Sequence, residues 1–230
     1  MRALVLGGTG AVGREIVQIL LSQGIEVFVT SQNGVSHDAR VTSIKWNATE
    51  QFDPPRQLFE GITKLSVFFC IGIPSSKQLV RDTPIEQFKD LFDTNTLGLV
   101  RVYKAIRTSD LEDVSIVAIS SDATVSAREK NGPYSASKTA LEIVARTIAC
   151  EENGGKFRIN VIAPSLIDSP MARKINILAG ETDFRKVINR LPQGRAISPK
   201  EVALAAVDIA TASQWSYANG QVFRLSSAPR

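Results

Sequence analysis

The chain has 230 residues, of which 43% are hydrophobic and 22% charged, and a formal net charge of +4. That is the make-up of a globular protein with enough apolar residues for a sizeable core, and its scattered Lys and Arg form no basic run, so no nucleic-acid partner is expected. Two cysteines in apolar surroundings, a lone histidine and no apolar stretch longer than "LSVFFCIGI" argue against a disulfide framework, a His-based metal site and a membrane span.

No secretory signal pattern precedes the first strand, which makes a cytoplasmic setting the expectation. Short apolar runs then alternate with longer amphipathic stretches. Residues 2–6, 25–29, 41–45, 65–71, 114–119, 157–162 and 221–225 read as strands. Residues 11–22, 84–108, 134–152 and 199–213 read as helices. The alternation predicts an α/β fold, a doubly wound parallel sheet of about seven strands in one domain spanning 1–230. Between 29 and 41 only "TSQNGVSHDAR" intervenes, so its Asn33-Gly34 turn predicts a short loop, with His37 as a solvated loop residue. The segment 165–198 is Pro-punctuated with a helical middle, "ETDFRKVINR", and reads as a lid over a substrate site.

"LGGTGAVG", residues 6–13, joins the first strand to the first helix. Glycines there let a backbone approach a pyrophosphate, whose charge suits a helix N-terminus. The glycines fit two registers, one starting at Gly8 and one at Gly7, each continuing through Gly10 and Gly13. At the end of the second strand, where an NAD site carries an acid for the ribose, the chain has Thr30-Ser31-Gln32-Asn33. Without a carboxylate to repel a 2′-phosphate, NADP(H) is favoured over NAD(H), which stays open. Arg40 or Lys45 could fold back towards that phosphate.

Further on, "AISSDATVSAREKNGPYSASKTALEIVA" places Tyr134 and Lys138 four apart at the start of a helix. That spacing sets both side chains on one face, and a nearby ammonium lowers a phenol pKa. The pair suits acid–base chemistry. By itself it is equally a helix surface.

With these stretches together, the chain resembles the short-chain dehydrogenase/reductase family, single-domain type, over nearly its whole length. "YSASK" matches the family's Tyr-x-x-x-Lys core, Ser121 stands thirteen residues before Tyr134, and Asn95-Thr96-Leu97-Gly98 fits its central-helix Asn. "NVIAPSLIDSPM" resembles its segment after the sixth strand, with Ser165 and Ser169 in place of Gly and Thr. Two places depart from the pattern. Phe69-Cys70-Ile71-Gly72 replaces Asn-Asn-Ala-Gly, and Asn47 replaces the Asp that meets adenine. The chain ends straight after its last strand, which favours the single-domain type over extended relatives.

The resemblance implies that Tyr134 is the general acid or base, that Lys138 lowers its pKa and binds the nicotinamide ribose, and that Ser121 holds the substrate oxygen. It implies that Asn95 holds a relay water behind Lys138. It assigns the dinucleotide to Gly7, Thr9, Gly10, Ala11, Val12 and Gly13 in the loop, with Gly7 as the first turn glycine. Ser31, Gln32, Asn47 and Gly72 follow along the strand ends, then Tyr134, Lys138, Pro164, Ile167 and Ser169. The implied reaction is hydride transfer between a nicotinamide cofactor and a carbonyl or secondary alcohol, in a homodimer or homotetramer paired through the helices at 84–108 and 134–152. A cofactor-binding sensor without turnover, or a regulator acting through protein contacts, are the competing readings. Substrate walls are expected from 73–76, 122–132 and 165–195, with both apolar and charged carbonyl compounds open. The charges there, Asp122 and Arg128 among them, read as solvated faces.

Overall fold

The computed structural model describes residues 1–226 apart from 126, 153 and 182. Seven parallel strands form one sheet in the order β3-β2-β1-β4-β5-β6-β7. They are β1 (Arg2–Leu6), β2 (Glu26–Ser31), β3 (Thr42–Lys45), β4 (Lys64–Phe69), β5 (Asp113–Ile119), β6 (Phe157–Pro164) and β7 (Val222–Leu225). The chain runs outward from β1 through β2 to β3, then returns to place β4 on the other side of β1. The order therefore reverses between β1 and β4, and the crevice at the carboxyl ends of those strands is where such sheets take ligands.

The five inner strands are buried on both faces, which is why they read as continuous apolar runs, while the edge strands β3 and β7 are more exposed. Alternation within them sorts two cores. Leu4, Leu6, Phe28 and Phe69 pack on one face against Leu99, Val102 and Leu141. Ala3, Val5, Val27 and Phe68 pack on the other against Ile16, Leu20, Val202 and Ala206. The helices that cover the sheet are α1 (Ala11–Ser22), α2 (Ile85–Phe92), α3 (Gly98–Arg107), α4 (Gly132–Glu151) and α7 (Pro199–Thr211). In α1 the buried residues Gly13, Ile16, Val17 and Leu20 recur at helical spacing, so one stripe meets the sheet. In α7, Ser198 and Glu201 close a capping box that fixes its start.

The single helix expected over 84–108 is interrupted. A π-helical turn, Asp93–Leu97, separates α2 from α3 and buries Asn95 and Thr96. Such turns occur mostly as one-residue insertions at functional sites. Thr96 Oγ1 donates to the Ser137 carbonyl at 2.8 Å, which locks the turn to α4. The segment after β6 carries two short helices, α5 (Pro170–Leu178) and α6 (Phe184–Asn189). Its base is stitched shut: Ile197 N donates to Leu166 O at 2.9 Å and Asp168 N to Ile197 O at 2.8 Å. Among the described residues, no helix is long and apolar enough to cross a membrane.

Candidate active site

Ser121 follows β5 and opens a short 3-10 turn, Asp122–Thr124, accepting the Ala123 N–H at 3.2 Å. Tyr134 lies in the first turn of α4, and Lys138 one turn later on the same face. The Ser121 hydroxyl lies near the Tyr134 phenol, close enough to favour its charged form. Both line a cleft of about 160 Å³, together with Pro164, Ile167 and Ser169 from the end of β6 and the segment beyond it. Ser169 also caps α5, accepting the Ala172 N–H at 3.2 Å. That S-P start was legible as a helix signal, yet the sequence reading put a helix only at α6.

Lys138 does not act on Tyr134 as the spacing suggests. Its ammonium is buried and donates to the carbonyls of Ile119 (2.9 Å) and Ile71 (3.4 Å). Burial lowers its pKa from 10.5 to about 8, partly offset by the nearby Cys70 and Glu142. The Tyr134 phenol is pushed up rather than down. Burial is the main cause, the nearby Ser121 hydroxyl opposes it, and the Asp122 charge adds to it. The expected lowering fails because the ammonium faces the strand ends and not the phenol oxygen.

Gly72 is the residue that gives Lys138 room. A Cβ there would meet Lys138 Nζ at 3.1 Å and Asn95 Oδ1 at 3.7 Å. Asn95, fully buried, uses its amide on this same loop: Oδ1 accepts Ile73 N–H at 2.8 Å, and Nδ2 donates to Ile73 O and Ser137 Oγ. Gly72, Asn95 and Lys138 thus meet behind the cleft. Beside them the half-buried Cys70 thiol is pushed up to about 12 by desolvation.

The Gly-rich turn sits at the carboxyl end of β1. Gly7 has φ +78°, in the left-handed region. A Cβ on Gly13 would lie 2.4 Å from Gly7 O. Gly10 is the N-cap of α1 without a capping side chain, and Ala11, Val12 and Gly13 open the helix with no acid in its first turn. Thr9 O accepts Arg14 Nε at 2.8 Å. At the end of β2 the Ser31 hydroxyl is spent on its own turn, donating to Asn33 Oδ1 and Val35 O, while Gln32 is exposed. Asn47, beyond β3, accepts the Thr49 N–H at 3.4 Å. Arg40 is paired with Asp38 at 2.7 Å. His37 is exposed in its loop, as expected, and contacts the Arg14 guanidinium there.

One buried group escaped the sequence reading. Glu142, two turns beyond Tyr134, accepts from Ser120 Oγ (2.7 Å), Thr124 Oγ1 (2.8 Å) and Arg224 (3.2 Å). It ties β7 and the Ser121 turn to α4. An acid at the third of three successive i+4 positions on one helix face was the available signal.

Comparison with known proteins decides the family. A family model described as enoyl-(acyl carrier protein) reductase matches residues 56–226. The chain belongs to the short-chain dehydrogenase/reductase family. It is thus an oxidoreductase of that family. The matched region starts beyond the Gly-rich turn. An uncharacterised short-chain type dehydrogenase/reductase of Sinorhizobium fredii is 27% identical over 94% of this chain, which spans 41% of that protein. An NADP-dependent (R)-specific alcohol dehydrogenase of Lentilactobacillus kefiri is 26% identical, over 96% of this chain and 93% of its own. The solved structure of ElxO with NADP bound superposes with a TM-score of 0.80 at 20% identity, covering 97% and 96% of the two chains, which speaks for the fold.

Proposed function

We propose that this short-chain dehydrogenase/reductase is a nicotinamide-dependent carbonyl reductase or alcohol dehydrogenase in which Tyr134 moves the proton. The observation that carries this reading is that Ser121 and Tyr134 share the wall of one cleft with Pro164, Ile167 and Ser169, at the carboxyl ends of β5 and β6.

The β1–α1 turn fits a dinucleotide pyrophosphate. Its glycines leave no Cβ in the way, and the N–H groups opening α1 have neither a capping side chain nor an acid against them. Gly7, Thr9, Gly10, Ala11, Val12 and Gly13 would hold the phosphates, with Gly72, Pro164, Ile167 and Ser169 towards the nicotinamide. A bound nicotinamide supplies the hydride in reduction and accepts it in oxidation.

The chain's own groups do the rest. In reduction the Ser121 hydroxyl donates to the substrate carbonyl oxygen, and Tyr134 gives that oxygen its phenolic proton. In oxidation the phenolate takes the proton back. A phenol whose pKa is raised is protonated at neutral pH, so the free protein is poised for reduction. Lys138 has three N–H donors and uses two on Ile119 and Ile71, leaving one for a ribose hydroxyl. Asn95 keeps one lone pair on Oδ1 for a relay water.

NADP(H) is the favoured cofactor in this reading. No acid stands at the end of β2, and Arg14 and His37 bring basic groups beside the Gly-rich turn. Val100 and Tyr103 of α3 and Val144 and Ile148 of α4, with Lys104, Thr147 and Glu151, line a largely apolar groove between the two helices, which we assign to pairing with a second copy.

The test is a melting-temperature titration with NADPH and NADH, followed by a carbonyl panel read by loss of reduced-nicotinamide absorbance. A larger shift with NADPH and turnover of at least one carbonyl are expected. A larger shift with NADH overturns the cofactor preference. Binding without turnover across a broad panel returns the sensor reading.

A further inference from the structure

The geometry points to an anion-binding subsite at the far wall of the Tyr134 cleft, so that the substrate is a carbonyl compound, or its alcohol, bearing a carboxylate held by Lys77 and the Ser75 hydroxyl. This rests on the oxidoreductase reading and deepens it.

Three independent features converge there. Ser75 is buried, lines the cleft, and its hydroxyl has no hydrogen-bond partner. A buried polar group left unpaired is costly, and it is paired in nearly all native sites. Two residues on, Lys77 also lines the cleft, in a left-handed backbone conformation (φ +63°) that a non-glycine residue rarely adopts. Such conformations cluster at ligand clamps. Its half-buried ammonium donates to the neutral Asn131 Oδ1 at 2.5 Å, and among the described residues no carboxylate pairs with it.

The surroundings of that ammonium are positive on balance. Asn131 is the N-cap of α4, its side chain makes no capping bond, and the first turn of this 20-residue helix has no acid. The positive end of the helix dipole thus lies beside Lys77. Arg128, also in the cleft wall, is close enough that its charge lowers the Lys77 pKa, with burial the larger cause. The acid in the cleft wall, Asp122, is engaged with Arg128 at 2.8 Å. One cation therefore stands without a counter-charge in a partly desolvated wall, next to an unpaired hydroxyl donor. A carboxylate satisfies both, and charge-assisted bonds of that kind are the strong ones.

The experiment measures kcat/KM of the cofactor-saturated protein for C4 to C6 oxo acids, with the carbonyl at positions 2, 3 or 4, against their methyl esters. At least one acid is expected to exceed its ester by about tenfold or more. Lys77→Gln is expected to cut that acid-to-ester ratio by about ten- to a hundredfold, chiefly through KM of the acid, with Lys77→Arg retaining most of it. Ser75→Ala should lower the ratio by a smaller factor. A strut role for Lys77 would lower both substrates alike and leave the ratio in place. Esters used as well as acids, with a ratio unmoved by Lys77→Gln, overturn the subsite and leave the oxidoreductase reading standing. No turnover of any acid or ester, alongside failure on a neutral carbonyl panel, overturns the oxidoreductase reading itself.

Discussion

Lys138 and Tyr134 lie one turn apart on α4, yet the ammonium donates to the Ile119 carbonyl at 2.9 Å rather than to the phenol. The lysine therefore joins the ends of β4 and β5 in the free protein. Its effect on the tyrosine requires something else in the crevice to draw the charge forward. A ribose hydroxyl bridging the two is the group our reading supplies.

Burial of that ammonium has a stability signature. The folded-state pKa, about 8, lies below the ordinary 10.5. Folding thus disfavours the charged form, so the penalty is present in full below pH 8 and is relieved as pH rises towards 10.5. Cys70 and Tyr134 shift the opposite way and mask this in the total. The difference in unfolding free energy between the natural chain and Lys138→Gln isolates it. That difference should rise between pH 8 and 10.5 by at most about 3 kcal/mol. Urea titrations across that window check it.

Gly13→Ala should damage the turn that opens α1. The new Cβ would sit 2.4 Å from Gly7 O and 2.8 Å from Gly8 Cα, both backbone atoms that cannot swing away. We expect a loss of roughly 1–3 kcal/mol of stability together with loss of dinucleotide binding. Gly24→Ala is the contrasting case. No atom lies within 4 Å of its would-be Cβ, so only its positive φ of +72° opposes the change. It should cost stability and spare cofactor binding. Thermal melts with and without NADPH separate the two effects.

Most of the scaffold was legible because buried parallel strands and amphipathic helices carry different periods. All seven strands and the parallel, doubly wound sheet follow from runs such as "RALVL" and "VSIVAI". The break at Asp93–Leu97 was not legible. The π-helical turn is five residues long, shorter than the window over which apolar periodicity is read, so a single helix is expected across it although Asn95 is buried. The site divided in the same way. Ser121 and Tyr134 stood out by their spacing, but the direction in which Lys138 points depends on the carbonyls of Ile119, at the end of β5, and Ile71, in the loop after β4. Lys77 carried no pattern at all. Its importance comes from a backbone angle, a buried serine hydroxyl and a helix end, none of which a linear sequence displays.

Glu142→Ala should loosen the wall that carries Ser121. It strips three donors, Ser120 Oγ, Thr124 Oγ1 and the Arg224 guanidinium, of one shared acceptor. Arg224 keeps access to water, with its side chain a third exposed, which tempers the cost. A loss of roughly 2–4 kcal/mol is expected by urea denaturation. Glu142→Gln should recover part of it, since one amide oxygen still accepts.

The central claim is that Tyr134 transfers the proton, and Tyr134→Phe tests it most directly. The variant removes one hydroxyl from the cleft wall and leaves the Gly-rich turn untouched. On the best carbonyl of the panel, turnover with NADPH should fall by about 10²–10⁴-fold, while the NADPH dissociation constant stays within about twofold, because no phosphate contact is lost. Turnover retained at near the natural rate, with binding unchanged, would contradict the account.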